Sequence, residues 1–185
     1  AAYYGLVTYM DDKIGRLVQA LPETGQLDNT WIIYTSDHGE FVGDHGLWWK
    51  NSFYEQASRV PLIFSCPEQL AFGRRVAGAC SLVDVARTIV DLGGGEQPED
   101  WDGDTLLPLL QGAGQAAGGN GTGPARGTPA GVWKDEAICE YYGHATNRPH
   151  RMLRTGRWKY NYYHGETPEL FDLQDDPGEN HNLAG

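Results

Sequence analysis

Trp31-Ile32-Ile33-Tyr34-Thr35-Ser36-Asp37-His38-Gly39-Glu40 is the stretch that decides the fold class of this 185-residue chain. Trp31 to Thr35 is a continuous run of β-branched and aromatic residues, the pattern of a short strand buried on both faces. The run then turns abruptly polar at Ser36-Asp37-His38. In open α/β sheets, ligands sit beyond the carboxyl ends of the strands, so this is where a site is expected. Upstream, Tyr3, Leu6, Val7, Met10, Ile14, Leu17, Val18 and Leu21 recur at spacings of three and four, which predicts a helix with one buried face. Pro22 is expected to stop it. Val60 to Ser65, closed by Cys66-Pro67, reads as a second strand of the same buried kind. A helix followed by such strands predicts an α/β fold.

Farther along, Ser81-Leu82-Val83-Asp84 has the form of a capping box. Leu82, Val85, Ala86, Ile89, Val90 and Leu92 then supply an apolar helical face, and Gly93-Gly94-Gly95 ends it. The composition changes at residue 112: residues 112–131 are almost entirely Gly, Ala, Pro, Asn, Thr and Gln, with Arg126 the only charge, and read as a flexible loop or linker. Residues 132–185 alternate polar and apolar around Met152-Leu153-Arg154-Thr155 and Trp158-Lys159-Tyr160-Asn161-Tyr162, which predicts antiparallel strands. Three stretches follow: an α/β portion over 1–111, the linker over 112–131 and an antiparallel subdomain over 132–185. Within the last, a basic block (Arg148, Arg151, Arg154, Arg157, Lys159) precedes an acidic one (Glu166, Glu169, Asp172, Asp175, Asp176, Glu179). The blocks are expected to face each other or to stay solvated, where surface ion pairs contribute only about 0–1 kcal/mol each.

Composition narrows the function classes. With 14 Lys and Arg against 25 Asp and Glu, the net charge of −11 excludes broad electrostatic binding to nucleic acid or anionic membrane, which needs a basic surface. No apolar run approaches the roughly 20 residues of a membrane span. Cys66, Cys80 and Cys139 are too scattered for a disulfide framework and form no CxxC pair. An acidic chain can still gather metal ions.

The reactive side chains concentrate between Asp37 and Lys50. Asp37 offers a carboxylate oxygen and His38 an imidazole nitrogen. Adjacent strand residues point to opposite faces, so the two can converge on one ion only once the chain has left the strand, a turn that Gly39 is expected to permit. Two neighbouring ligands are part of a coordination sphere, and the others must come from elsewhere. Taken alone, the imidazole favours Zn²⁺ or Mn²⁺ over Ca²⁺. Glu40, Asp44 and His45 are candidates for supporting groups, although a place on the loop surface is the simpler expectation for each.

Several further motifs accompany this cluster: Gly43-Asp44-His45-Gly46-Leu47-Trp48, Lys50, Ser52-Phe53-Tyr54-Glu55, Arg59-Val60-Pro61-Leu62-Ile63, Asp102-Gly103-Asp104-Thr105, Arg151-Met152-Leu153-Arg154-Thr155-Gly156 and Glu169-Leu170-Phe171-Asp172-Leu173 with Asp175-Asp176-Pro177-Gly178-Glu179. Together and in this order they resemble the second half of the formylglycine-dependent sulfatases of the alkaline phosphatase superfamily. That resemblance implies the C-terminal half of an alkaline-phosphatase-like sandwich, a mixed sheet flanked by helices, plus a small antiparallel subdomain. It places Asp37 and His38 as ligands of a divalent cation, with calcium expected and manganese or zinc as alternatives. It places Lys50, twelve residues beyond His38, on a sulfate oxygen. A compact ammonium suits an anionic tetrahedral group and the charge of its transition state.

The family's nucleophile setting, Cys/Ser-x-Pro-Ser-Arg, has no match in this sequence; Ser65-Cys66-Pro67-Glu68-Gln69 is nearest and lacks the Ser-Arg. The expectation is therefore a C-terminal portion of a longer enzyme, with the formylglycine upstream and this portion inactive alone. The implied activity is hydrolysis of a small-molecule or carbohydrate sulfate ester. A phosphonate monoester hydrolase or phosphodiesterase, and a non-catalytic sulfatase-like binding module, are the alternatives; related phosphonate monoester hydrolases tend to carry His where Lys50 stands. Tyr141, Tyr142, His144, Arg148 and His150 are candidates for the substrate entrance. The tail and the metal motif resemble the choline-sulfatase-like branch, and glycan sulfatases share them.

Overall fold

The computed structural model describes residues 2–98, 100–112, 133–143 and 148–185. In chain order they form α1 (Ala2–Glu23), β1 (Ile32–Thr35), a 3-10 turn (Asp44–Gly46), α2 (Glu55–Ser58), β2 (Leu62–Ser65), α3 (Leu82–Leu92), α4 (Leu107–Leu110), β3 (Glu136–Tyr141), β4 (His150–Thr155), β5 (Trp158–Tyr163) and β6 (Glu169–Asp172). The mixed α/β class is as the sequence predicts. The linker read at 112–131 lies outside the described residues apart from Gly112.

The chain divides into two compact units. The first comprises residues 1–34 and 62–74; the second comprises 35–61 and 75–185. The first unit carries α1 and the two-stranded sheet of β1 and β2. Its helix differs from the expectation in two ways. Pro22 lies inside the last turn instead of stopping the helix, because proline's missing N–H removes a single bond there and the turn is already ending. The apolar stripe is also exposed: Tyr4, Leu6, Met10 and Leu17 are all more than half accessible, and no residue of α1 is buried. With 22 residues the helix exceeds the roughly 12–15 at which backbone bonds and propensity begin to sustain it. β1 and β2 are likewise half-buried, with Tyr34 and Ile63 exposed, so the doubly buried pattern of their sequences is not realised within this unit.

The second unit has two packed parts. Around α3, Asp84 is fully buried: its carboxylate accepts the Ser81 N–H (2.7 Å) and the Asp104 N–H (2.8 Å) and pairs with Lys134 (2.6 Å). The cap read from Ser81 and Asp84 thus also anchors the segment leading to α4. Burial works to lower the Lys134 pKa, but its hydrogen bonds and charge pairing with Asp84 and Asp104 leave it raised. Trp133, almost fully buried, donates its indole N–H to the Ala79 carbonyl at 2.7 Å.

The other part is an antiparallel sheet in the order β3-β4-β5-β6, in register through Cys139↔Met152, Met152↔Asn161 and Lys159↔Phe171. Its inward face is the opposite of what hydrophobicity along β5 suggests. Lys159 and Asn161 are fully buried, whereas Trp158, Tyr160 and Tyr162 are exposed. A period of two defines two faces but does not say which is covered. The basic and acidic blocks do meet. Arg148 pairs with Glu166 (3.4 Å), Arg157 with Asp172 (2.5 Å) and Lys159 with Glu179 (2.9 Å); the last pair is buried, against the surface placement expected of it. The three cysteines are free, as their spacing implies. No helix among the described residues is long and apolar enough to cross a membrane.

Candidate functional site

β1 ends at Thr35, so Asp37 and His38 both lie beyond the strand and are released from its alternation. The Ser36 hydroxyl donates to the His38 carbonyl at 2.8 Å, and the His38 N–H donates to Asp37 Oδ1 at 3.0 Å, forming a tight polar turn. That backbone N–H is the main reason the Asp37 carboxyl is held below its usual range. Oδ2, the other oxygen of a side chain that is 83% exposed, lies 3.6 Å from His38 Nε2.

Gly39 is needed here for a reason other than the turn. Its φ is not in the left-handed region; instead, a Cβ at this position would come within 1.9 Å of the Gln56 carbonyl oxygen. The close approach lets the Gly39 N–H donate to the Ala57 carbonyl at 2.8 Å, tying the Asp37-His38 turn to α2. From Gly39 the chain makes a tight loop closed by Phe41 N–H to Trp49 O (2.9 Å) and Gly43 N–H to Leu47 O (2.9 Å). Three non-glycine residues in it, Val42, His45 and Trp49, take left-handed backbone angles (φ 51°, 50° and 69°), which is costly, above all for a β-branched side chain.

The loop carries Lys50 back to the turn. Lys50 Nζ lies 3.0 Å from His38 Nε2, across twelve residues of chain. His38 Nδ1 faces the Gly39 carbonyl at 2.8 Å, and a carbonyl can only accept. An ammonium can only donate. Both contacts are therefore satisfied by one tautomer, the neutral ring with its proton on Nδ1 and its Nε2 lone pair toward Lys50. The three residues singled out in the sequence thus come together at one place.

The residues left as loop surface all have partners. Glu40 Oε1 accepts the N–H groups of Trp49 (2.6 Å) and Val42 (3.3 Å), bridging the two legs of the loop at the base of Lys50. Asp44 Oδ2 accepts from Gln56 Nε2 at 2.5 Å. His45 stacks on Tyr54 with centroids 4.3 Å apart and rings 7° from parallel. Tyr54 in turn donates to Glu169 Oε1 at 2.7 Å, and burial first, then this contact, raises its phenol pKa. The sequence offers Glu40 as a supporting group but no partner for it; the signal that finds one is a loop rich in glycine, whose backbone donors some acceptor must satisfy.

Of the entrance candidates, Tyr141 and His150 join Lys50, Asn51, Ser52 and Phe53 around a small pocket of about 40 Å³, room for little more than a water or two. Tyr142 instead accepts hydrogen bonds from Arg151 (2.9 and 3.2 Å), and Arg148 donates to the carbonyls of His164 (3.3 Å) and Gly165 (3.1 Å), so both serve the sheet. His144 lies outside the described residues.

The donor set fits a divalent cation in part. Asp37 Oδ2 and His38 Nε2, 3.6 Å apart, are close enough to share one ion at ligand distances of roughly 2.0–2.6 Å. Among the described residues no group of three or more His, Cys, Asp or Glu is placed to hold a metal, so Asp37 and His38 stand there as a pair of such ligands.

Comparisons with known proteins show which family this chain resembles. The chain is 35% identical over 186 residues to the choline-sulfatase of Rhizobium meliloti (strain 1021), a match covering 99% of this chain and 32% of that protein. Its structure aligns with BT4656, solved in complex with its substrate D-glucosamine-2-N,6-O-disulfate, at a TM-score of 0.82 and 34% identity, covering 97% of this chain and 35% of that one. It also aligns with the phosphonate monoester hydrolase of Agrobacterium radiobacter at a TM-score of 0.79 and 32% identity, covering 98% of this chain and 36% of that one. The chain thus spans about a third of the length of the relatives it matches. The family profile described as Sulfatase matches residues 1–95, the part that holds Asp37, His38, Gly39 and Lys50, and this chain belongs to the sulfatase family.

Proposed function

We propose that this chain forms the anion-holding part of a sulfuric ester hydrolase, with Asp37 and His38 as ligands of a divalent cation and Lys50 as the direct contact to a sulfate oxygen. The observation that carries this reading is the convergence of Lys50 Nζ and Asp37 Oδ2 on His38 Nε2, at 3.0 and 3.6 Å. Calcium is the proposed ion, because the further ligands in a sulfatase site would be carboxylates; the imidazole keeps manganese and zinc as alternatives. When bound, the cation would supply positive charge to the sulfate oxygens and to the charge that develops as the S–O bond breaks.

The chain's own residues have separate tasks. The Gly39 carbonyl fixes the ring of His38 in the tautomer that presents Nε2. A single lone pair serves one partner at a time, so a His38 that held a cation through Nε2 would leave the Lys50 ammonium free to bind an anion. The left-handed Trp49 and its bond to Glu40 hold Lys50 in place, so its charge is aimed in advance instead of being reorganised during reaction. In a chain of net charge −11, this local positive charge has to overcome the field of the rest. The nucleophile, a formylglycine in this family, is expected outside this sequence.

The substrate class proposed is a sulfate ester of a small molecule or a carbohydrate. A second reading, phosphonate monoester or phosphodiester hydrolysis, is favoured by the likeness to the phosphonate monoester hydrolase. The test is the rate of the full-length protein on an aryl sulfate, an aryl phosphodiester and an aryl phosphonate monoester side by side. A clear preference for the sulfate, lost when Lys50 becomes His, is the expected result; a preference for the phosphorus esters by the wild type overturns the sulfatase reading.

A further inference from the structure

A second cluster of buried charges, besides the one around Asp84, lies behind the site. Lys159 of β5 is fully buried, with Nζ 2.9 Å from Glu55 Oε1, 2.9 Å from Glu179 Oε1 and 3.1 Å from the Ser58 hydroxyl. The Glu179 side chain is fully covered, and its Oε2 accepts the backbone N–H of Glu55 at 2.6 Å. Arg154 approaches Glu55 Oε2 at 3.7 Å and the exposed Arg59 reaches it at 4.0 Å, so both carboxylates are met by cations. Glu179 itself has a left-handed φ of 53°. Such a network is no cheap way to fill a core, since apolar groups of similar volume often stabilise as well or better. Its retention calls for a task that apolar packing would not perform.

The task is visible in what the cluster grips. Helix α2 has only four residues, too few to hold its own position. Its first N–H is held by Glu179 and its first side chain by Lys159. Ala57 O also receives the Gly39 N–H and Gln56 donates to Asp44, so α2 bears on the start of the strained loop and on its tip. We propose that Glu179 and Lys159 are positioning residues: by clamping Glu55–Ser58 they hold, through Ala57 and Gln56, the loop on which Asp37, His38 and Lys50 stand. This inference rests on the proposed function for its kinetic consequence but not for its structural one.

Two substitutions in the full-length protein test it. Glu179→Ala removes the acceptor of the Glu55 N–H, whereas Glu179→Gln keeps an oxygen there but loses the charge and the oxygen that faces Lys159. Well below the unfolding temperature of each variant, kcat for aryl sulfate is expected to fall about tenfold or more for the alanine variant and about threefold for the glutamine variant. Hydrogen exchange in the peptide 36–58 is expected to quicken in the same order, with the β3 peptide 133–141, which does not touch the cluster's carboxylates, unchanged. If Glu179→Ala does not fold, the glutamine variant carries the test alone through faster exchange confined to 36–58. Wild-type exchange over 36–58 in the folded variants overturns the inference, as does an equal acceleration in both peptides, which marks general loosening. If the wild type turns over no sulfate ester, the function reading fails by itself and the exchange order still decides the positioning.

Discussion

Gly39→Ala isolates the contact on which the site geometry depends. The added Cβ would stand 1.9 Å from the Gln56 carbonyl oxygen and 3.0 Å from its carbon, both backbone atoms that no rotamer change can move. Ordinary contact begins near 3.4 Å, so either the Asp37-His38 turn or α2 must retreat by about 1.5 Å. Ala57 is almost fully buried and α2 is gripped from behind by Lys159 and Glu179, so the turn is the part that yields. Its retreat breaks the 2.8 Å bond from Gly39 N–H to Ala57 O. A lost bond at about 1 kcal/mol and overpacking at about 1–3 kcal/mol give a destabilisation of about 2–4 kcal/mol. A misplacement of about 1 Å at a reacting centre costs about a hundredfold in rate, and His38 and Lys50 would separate by a comparable distance. Steady-state sulfate release and thermal unfolding of the full-length variant measure the two effects separately. A Gly39→Ala enzyme with kcat within about twofold of wild type and an unchanged unfolding midpoint would refute the reasoning.

Glu40→Ala should lower kcat by roughly tenfold, because it leaves the left-handed Trp49 and Val42 without their shared acceptor; Glu40→Gln, which keeps an acceptor, should stay within about threefold. Asp84→Ala should cost about 2–5 kcal/mol in chemical denaturation, since it leaves two backbone N–H groups without their acceptor and Lys134 with Asp104 alone, with Asp84→Asn costing less. The Arg157 guanidinium holds the Asp172 carboxyl below the ordinary value of 3.8, so its stabilisation is present above that pH and is lost as pH falls through the lower folded value. Urea midpoints measured across the acid range should therefore fall less steeply for Arg157→Ala than for wild type.

The parts of the fold encoded by neighbours in sequence were legible. The strand of Ile32–Thr35, the cap of Ser81 with Asp84 and the alternation of β4 and β5 each follow from a pattern a few residues long. That Asp37, His38 and Lys50 stand together was legible too, the first pair from their place beyond a strand and Lys50 from its place in a motif order, while the roles given to them belong to the proposal. What was not legible depends on partners far away in the chain. Lys159 meets residues 104 positions before it, and Glu179 meets Glu55 across 124. No local pattern tells a buried lysine from a solvated one, and β5 misleads because its aromatic residues are the exposed ones. Gly39 was singled out, but for a turn; only the approach of Gln56 shows that the missing Cβ is what matters. The exposed stripe of α1 is the converse case, in which an amphipathic pattern defines a face but not what covers it.

Sulfate release from an aryl sulfate by the full-length wild type, Lys50→Ala and Asp37→Ala, each at saturating divalent cation, bears most directly on the joint placement of these side chains. Both substitutions are expected to reduce kcat by about a hundredfold or more, the scale of losing a charge aimed at the transition state. Release within about twofold of wild type in both would contradict the assignment of Asp37, His38 and Lys50 to one anion-holding site.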